Sequence, residues 1–363
     1  MIKCRHITAF LAIITSLWTQ QSHAENHFNA YGHQFIENYV DPQVAAFSQS
    51  AIKLDDTIAQ LCQQNSSAHQ QAFRTQFSST VAALARVDFL RLGPLNNNSL
   101  AQRINFFPDK RGVTQRQLNK VFAKQDSSVT TAERLARKSV ALQGMGTLEK
   151  IAFDKDGALI LGKTATDAPF RCSFAQAIGT RLVVSATELE KEWQNPKGYR
   201  LQLLEPDAQK PNLKSHQEAA EAIFNALITA LIVNKDQIVL PAIGKSARKN
   251  TAYKAPFARS HNSVLYLSTS LEAIQSALTT SGFLNQLTDE QAWVADSLRF
   301  ETQNGVKTLA KLKSSFKMAA KDANERKQLV YLNIVIGSLR ETMATTLAGY
   351  LGLAGGFNSL DGD

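Results

Sequence analysis

Apolar residues recur at three- and four-residue steps along most of the chain. The pattern is clearest from Val306 onward, where apolar side chains repeat on one face and lysines fall mostly on other faces. This spacing predicts amphipathic helices. Similar patterns predict helices over residues 73–92, 132–153, 170–193, 217–233, 263–281 and 329–351. Because only residues 158–161 alternate as a strand would, we predict an all-α protein built from helical bundles.

Proline, glycine and asparagine interrupt the helical pattern at several points. Gly93-Pro94 and residues 108–112 mark two irregular stretches, and the polar, proline-bearing run over 205–211 marks the longest one. We therefore predict an N-terminal helical domain over 25–204 and a C-terminal helical bundle domain over 205–363.

The first 24 residues have the pattern of a signal peptide. Lys3 and Arg5 precede an apolar stretch over 7–18. The small residues Ser22 and Ala24 occupy the third and first positions before the expected cleavage site. The apolar stretch is shorter than the ~20 residues that an anchor helix needs. We predict cleavage after Ala24 and a periplasmic location.

The mature chain is expected to carry no transmembrane anchor. Its richest apolar run, over 223–233, contains Asn225 and Thr229 and predicts a buried helix. Cleavage leaves 38 of the 40 basic residues against 31 acidic ones, an excess of about seven positive charges. In a periplasm this favours anionic envelope surfaces or acidic ligands over nucleic acid, but we prefer the simpler interpretation of a solvated basic surface without a dedicated partner.

Cys62 and Cys172 are the two cysteines that remain after cleavage. In an oxidising compartment such a pair favours a structural disulfide. Metal binding through two cysteines without neighbouring histidines is the weaker alternative.

The stretch from Gln143 to Glu149 is the most informative one for function. Gly144 and Gly146 lie within a helical pattern, where each glycine costs about 1 kcal/mol relative to alanine. Close approach of another segment would offset that cost, and so would space for a ligand. Glu149 lies three residues after Gly146 and therefore on nearly the same helix face.

This stretch resembles the signature of the imelysin-like family, in which a glycine, any residue, a histidine, two more residues and a glutamate follow one another. Here the frame begins at Gly144 and ends at Glu149, and Gly146 stands at the histidine position. Further segments resemble the same family in the same order, and they are residues 89–94, 103–112, 171–172 and 356–363.

The resemblance implies a two-domain helical fold, an envelope location, an association with iron-regulated uptake and a peptidase label with the histidine and glutamate as metal ligands. Glycine at position 146 cannot bind a metal, so the peptidase activity is not expected here. Instead we predict a ligand-binding site formed by Gly144, Gly146 and Glu149, with Arg103 and Asp109 from a facing loop. Arg103 would hold an anion or orient Glu149. The metal, the cofactor and the ligand stay unassigned.

Two other segments contain residues that could bind a metal or cap a helix. His33 and Glu37 are spaced to meet on one helix face and to share a metal, although exposed pairs with this spacing are common. Ser260 and Asn262 precede a predicted helix, where either one would serve as its N-cap.

Three hypotheses about function follow. The first is a non-catalytic envelope protein that binds a ligand or an iron-uptake partner in a cleft between the two bundles. The second is a metallopeptidase with a substitute metal ligand, and the third is a purely structural envelope protein.

Overall fold

The computed structural model describes residues 28–354, and within them it is all-α, as the sequence predicts. The predicted signal peptide and residues 356–363 lie outside the described part. The long helices are α1 (Asp41–Gln63), α2 (Ser67–Val87), α4 (Val113–Lys124), α7 (Ala168–Gln194), α9 (His216–Ile232), α11 (Ser263–Thr280), α12 (Trp293–Ala310) and α14 (Ala323–Glu341). The short helices are α3 (Leu100–Ile104), α5 (Ala132–Leu135), α6 (Gly144–Ala152), α8 (Tyr199–Leu204), α10 (Leu240–Ile243), α13 (Phe316–Ala319) and α15 (Ala348–Leu351).

Three π-helical segments continue or precede these helices. They are Ile36–Val40, which follows helical residues 28–35, then Val233–Val239 and Thr342–Leu347. The stretch over 158–161, predicted to be extended, contributes only an isolated bridge between Phe153 and Leu159, and no strand forms among residues 28–354.

Side-chain caps fix where several helices begin, and the apolar periodicity alone does not predict these positions. The Ser66 hydroxyl accepts the backbone N–H of His69 at the start of α2, and the Asp322 carboxylate accepts two backbone N–H groups at the start of α14. The predicted helix over 132–153 is divided into α5, a 3₁₀ turn (Val140–Leu142) and α6. The apolar pattern after Val306 likewise crosses a break between α12 and α14.

The long helices pack side by side in the order α7, α1, α2, α11, α12 and α14. Their apolar faces form one continuous hydrophobic core. The short helix α6 packs against α7 and against α3. The predicted boundary near residue 205 therefore separates two parts of the chain that share a core, and the two-domain organisation stays a prediction.

Cys62 at the end of α1 and Cys172 at the start of α7 form a disulfide, with 5.7 Å between their Cα atoms. The continuous helical run His216–Ile243 is long and apolar enough to cross a membrane by length and composition. Its richest window is 61% buried inside the fold, as expected for a core helix. The buried side-chain hydrogen bond from Asn234 to Ser270 of α11 adds a polar contact along this run.

Candidate functional site

Glu149 lies on α6 and is buried, with 4% of its surface exposed. Its Oε1 accepts the backbone N–H of Ser260 at 2.9 Å and the Ser260 hydroxyl at 2.8 Å. Burial raises the pKa of Glu149, while the nearby Lys150, the two Ser260 hydrogen bonds and Arg259 act in the opposite direction. The carboxylate thus connects the two halves of the chain across 111 residues.

The sequence offered Ser260 or Asn262 as the N-cap of the next helix, whereas the Ser260 side chain contacts Glu149. Helix α11 begins after Asn262, and neither Asn262 nor Ser260 caps it with a side chain. The Asn262 side chain instead donates to the Ser260 carbonyl at 3.4 Å. A serine flanked by arginine and histidine was a visible polar cluster, but nothing local indicated its distant carboxylate partner.

The two glycines of α6 lie against the C-terminal end of α3 and the residue that follows it. Gly144 has φ +74°, and a Cβ there would lie 2.2 Å from the Ile104 carbonyl oxygen and 2.6 Å from that of Arg103. A Cβ on Gly146 would meet the Asn105 Oδ1 at 3.3 Å. Close approach of the backbone therefore explains why residue 144 is a glycine. Position 146, where the family signature has its histidine, faces the buried side-chain amide of Asn105.

Arg103 lies on α3 and not in a loop, Asp109 lies in the loop that follows, and both have other partners. The Arg103 guanidinium donates to both carboxylate oxygens of Glu188 in α7, at 2.8 and 2.7 Å. Asp109 accepts the backbone N–H groups of Val113 and Thr114 at 2.7 and 2.9 Å, which starts α4. Arg103 is therefore engaged by Glu188, and the residue that holds the Glu149 carboxylate is Ser260.

A second buried polar cluster surrounds Asp88 at the end of α2. The Tyr266 hydroxyl donates to Asp88 Oδ2 at 2.7 Å, the Asn105 amide donates to the same oxygen at 3.4 Å, and Arg91 forms an ion pair with Asp88. Burial raises the pKa of Tyr266 well above its ordinary value, and Asp88 adds to the effect. Through Asn105 this cluster reaches the face of Gly146.

A cavity of about 310 Å³ opens beside the Asp88 cluster, and we call it the cleft cavity. Residues from both sides of the predicted domain boundary line it, among them Asp88, Arg91, Phe107, Asn234 and Tyr266. More apolar than polar surface faces the cavity. Its size and its few fixed polar groups are typical of small-ligand pockets.

The π-helical segment Val233–Val239 separates the cleft cavity from a wider, neighbouring one of about 600 Å³. Phe107, Pro108 and Gln237 line both cavities. The Gln237 Oε1 is buried and accepts no hydrogen bond within the described part of the chain. π-Helical turns are frequent at functional sites, and this one brings an unused acceptor to the cavities.

The residues around Glu149 do not fit a catalytic metal. Gly146 supplies no donor atom, Ser260 already occupies Oε1, and the nearest charged groups are the cations of Lys150 and Arg259. Residues 28–354 contain no group of three or more His, Cys, Asp or Glu side chains placed to hold a metal ion. His33 and Glu37 form a single exposed pair 3.9 Å apart, well short of a ligand set.

The packed helices, with a buried glutamate on a short, glycine-bearing helix, define an all-α bundle protein. The chain belongs to the imelysin family, because the family model described as Imelysin matches residues 37–341. No curated protein matches the sequence.

Two solved structures share this fold. An imelysin-like protein from Psychrobacter arcticum 273-4 superposes with a TM-score of 0.73 at 20% identity, over 92% of this chain and 98% of its own. A structure named as an iron-regulated protein A precursor, from Parabacteroides distasonis ATCC 8503, superposes with a TM-score of 0.72 at 12% identity, over 90% of this chain and 95% of its own.

Proposed function

We propose that this protein is a non-catalytic binding component of the cell envelope that takes part in iron acquisition. Its ligand occupies the cleft cavity between the two parts of the chain. Two observations together carry the proposal. A preformed cavity is present, and α6, which contains the family signature and which we call the signature helix, offers no set of metal ligands.

The chemistry of the signature helix favours binding over hydrolysis. A catalytic zinc needs three protein ligands and an open position. The Glu149 carboxylate is held by Ser260 in a buried setting that favours its neutral form, and position 146 has no side chain. These features support a structural role for Glu149, which joins the two parts of the chain through Ser260.

The location rests on two further features. Cys62 and Cys172 form a disulfide, which is typical of proteins that fold outside the cytoplasm. The first 24 residues have the pattern of a cleaved signal peptide. The relative named as an iron-regulated precursor supports the link to iron.

Complementation of a deletion strain on iron-chelated medium tests this proposal. We expect the wild-type gene and the Glu149→Gln variant to restore growth, since glutamine keeps the acceptor for Ser260 and a carboxylate is not needed for chemistry. Asn96→Trp, at the exposed rim of the cleft cavity, is expected to fail because the indole obstructs the opening.

Asn97→Trp is the matched control, because Asn97 is exposed in the same turn but does not line the cavity. A deletion strain that grows normally under chelation would refute the link to iron. Stoichiometric zinc in dialysed protein, together with peptide cleavage that Glu149→Gln abolishes, would establish the alternative metallopeptidase with a substituted ligand.

A further inference from the structure

A third cavity, of about 460 Å³, lies beside the C-terminal end of α6, and we call it the basic pocket. Four cationic side chains line it, and they are Lys150, Lys155, Arg171 and Arg259. Two acidic residues, Asp154 and Asp156, also line it. None of the residues that line the basic pocket lines the cleft cavity.

The two acidic residues are already engaged. The Asp154 Oδ1 accepts the backbone N–H groups of Asp156 and Ala158, both at 2.9 Å, within its own turn. Asp156 is exposed and lies 3.8 Å from the Lys317 ammonium. These contacts fix the orientation of the two carboxylates but leave their charges in place, so the four cations exceed the two acids by two positive charges.

The two arginines are fixed by the end of α6. Arg259 Nη1 donates to the carbonyls of Lys150 and Phe153 at 3.1 and 3.4 Å, and Arg171 Nη1 donates to that of Ile151 at 2.9 Å. Carbonyl acceptors orient a guanidinium without cancelling its charge. Arg171 also forms an ion pair with Asp167, whereas Arg259 has no direct ion pair among the described residues, and Glu149 and Asp154 act on it from a greater distance.

Lys150 differs from these neighbours because its ammonium makes no hydrogen bond within the part of the chain that the structure describes. Burial lowers the pKa of Lys150, Glu149 and Asp109 raise it, and Arg259 lowers it further. A desolvated ammonium beside a fixed guanidinium is the arrangement that binds an oxyanion in proteins.

We propose that the basic pocket binds a small organic anion, with a carboxylate or phosphate group between Lys150, Lys155 and Arg259. The carbon skeleton of the ligand packs on the apolar wall that Leu118, Phe122 and Ile160 form. The Phe122 ring is held by Arg171, whose guanidinium carbon lies 4.7 Å from the ring centroid. This site is separate from the cleft cavity and goes beyond the proposed function.

Isothermal titration of the mature protein with citrate and with inorganic phosphate, at constant ionic strength, tests the pocket. We expect saturable binding of at least one of them, at one site per chain. Citrate that binds more tightly than phosphate identifies the organic acid as the ligand class, and the reverse order identifies the phosphate group. Saturable binding of neither anion would refute the proposal.

Lys150→Met is expected to weaken binding about tenfold or more, since it removes a charge-assisted hydrogen bond and keeps the length of the side chain. Lys155→Met, at an exposed position that cannot affect folding, is expected to weaken it as well. Lys327→Met removes the same charge from an exposed site on α14 and is expected to change nothing. Equal weakening of anion binding by all three variants would show that net charge alone explains the effect, and it would refute the proposed binding site.

Discussion

Gly144 and Gly146 look equivalent in the sequence, but the structure gives them different roles. Gly144 begins α6 with a positive φ, and the Ile104 carbonyl leaves no room for a Cβ. Gly146 has ordinary helical geometry and a single neighbour at 3.3 Å. The first glycine is therefore needed by the fold, and at the second a Cβ fits after a small shift of the Asn105 side chain.

We expect Gly144→Ala to lower the free energy of unfolding by about 2–4 kcal/mol, because left-handed strain adds to a backbone collision. Gly112→Ala is the matched control, since Gly112 also has a positive φ but nothing within 4 Å of a built Cβ. Its cost is expected to be about 1 kcal/mol. Urea unfolding of both variants measures the difference, and equal losses would show that the contact with Ile104 carries no energy.

Residue types and their spacing singled out the segment over 143–149 but did not indicate what it touches. The glycines and Glu149 are adjacent in the sequence, so their pattern was readable. Ser260 is 111 residues from Glu149, and Glu188 is 85 residues from Arg103. Pairings of this kind depend on how the helices pack, and one sequence has no local signal for them.

At the scale of whole helices, periodicity predicted more than it did at the scale of contacts. The helices predicted over 170–193 and 263–281 agree closely with α7 and α11. The pattern did not predict the end of α12, because the apolar face continues across the turn between α12 and α13. The residues of that turn, Lys311 to Ser315, include neither glycine nor proline, so no helix-breaking residue marks the end of α12.

The interface between α1 and α7 contains Asp55, whose pKa is raised. Asp55 accepts a hydrogen bond from Gln176 at 2.6 Å and lies beside Gly179, where a Cβ would be 2.3 Å from its Oδ1. Burial raises the pKa of Asp55 to about 6, a Thr180 hydrogen bond lowers it, and Asp56 raises it. The folded protein thus binds the Asp55 proton more tightly than the unfolded chain does.

Because of this difference, the interface loses stability as the pH rises from the unfolded pKa of Asp55, near 4, through its folded value of about 6. We expect Asp55→Asn to raise the free energy of unfolding by about 1 kcal/mol at pH 8, allowing for the partial exposure of the group. At pH 3 we expect no gain, since both states are then protonated. Urea unfolding at the two pH values measures it.

Asp56→Asn is the control on the same helix, because Asp56 is exposed. Its effect is expected to be smaller and to depend little on pH. A gain for Asp55→Asn that is the same at both pH values would mean that the aspartate is not titrating between them.

At the scale of the whole molecule, polar and aromatic contacts join the two predicted domains. Tyr31 stacks on Phe283 with 4.3 Å between ring centroids, and Phe77 meets Phe257 edge-on at 6.2 Å. The hydrogen bond between Tyr266 and Asp88 crosses the same boundary. Asp88 and Tyr266 also line the cleft cavity, so a stable cavity requires both parts of the chain to be folded together.

We therefore expect the mature protein to unfold in a single transition, because a shared core couples the two parts. The Trp293→Phe variant provides the measurement. Trp293 is 53% exposed, so its replacement costs little, and the fluorescence of the fully buried Trp193 in α7 then reports the N-terminal part alone. Circular dichroism reports all helices, and its urea midpoint should coincide with that of the fluorescence. If Trp193 became exposed while about half of the helical signal remained, the two parts would be separate folding units, and the cavity between them would open without global unfolding.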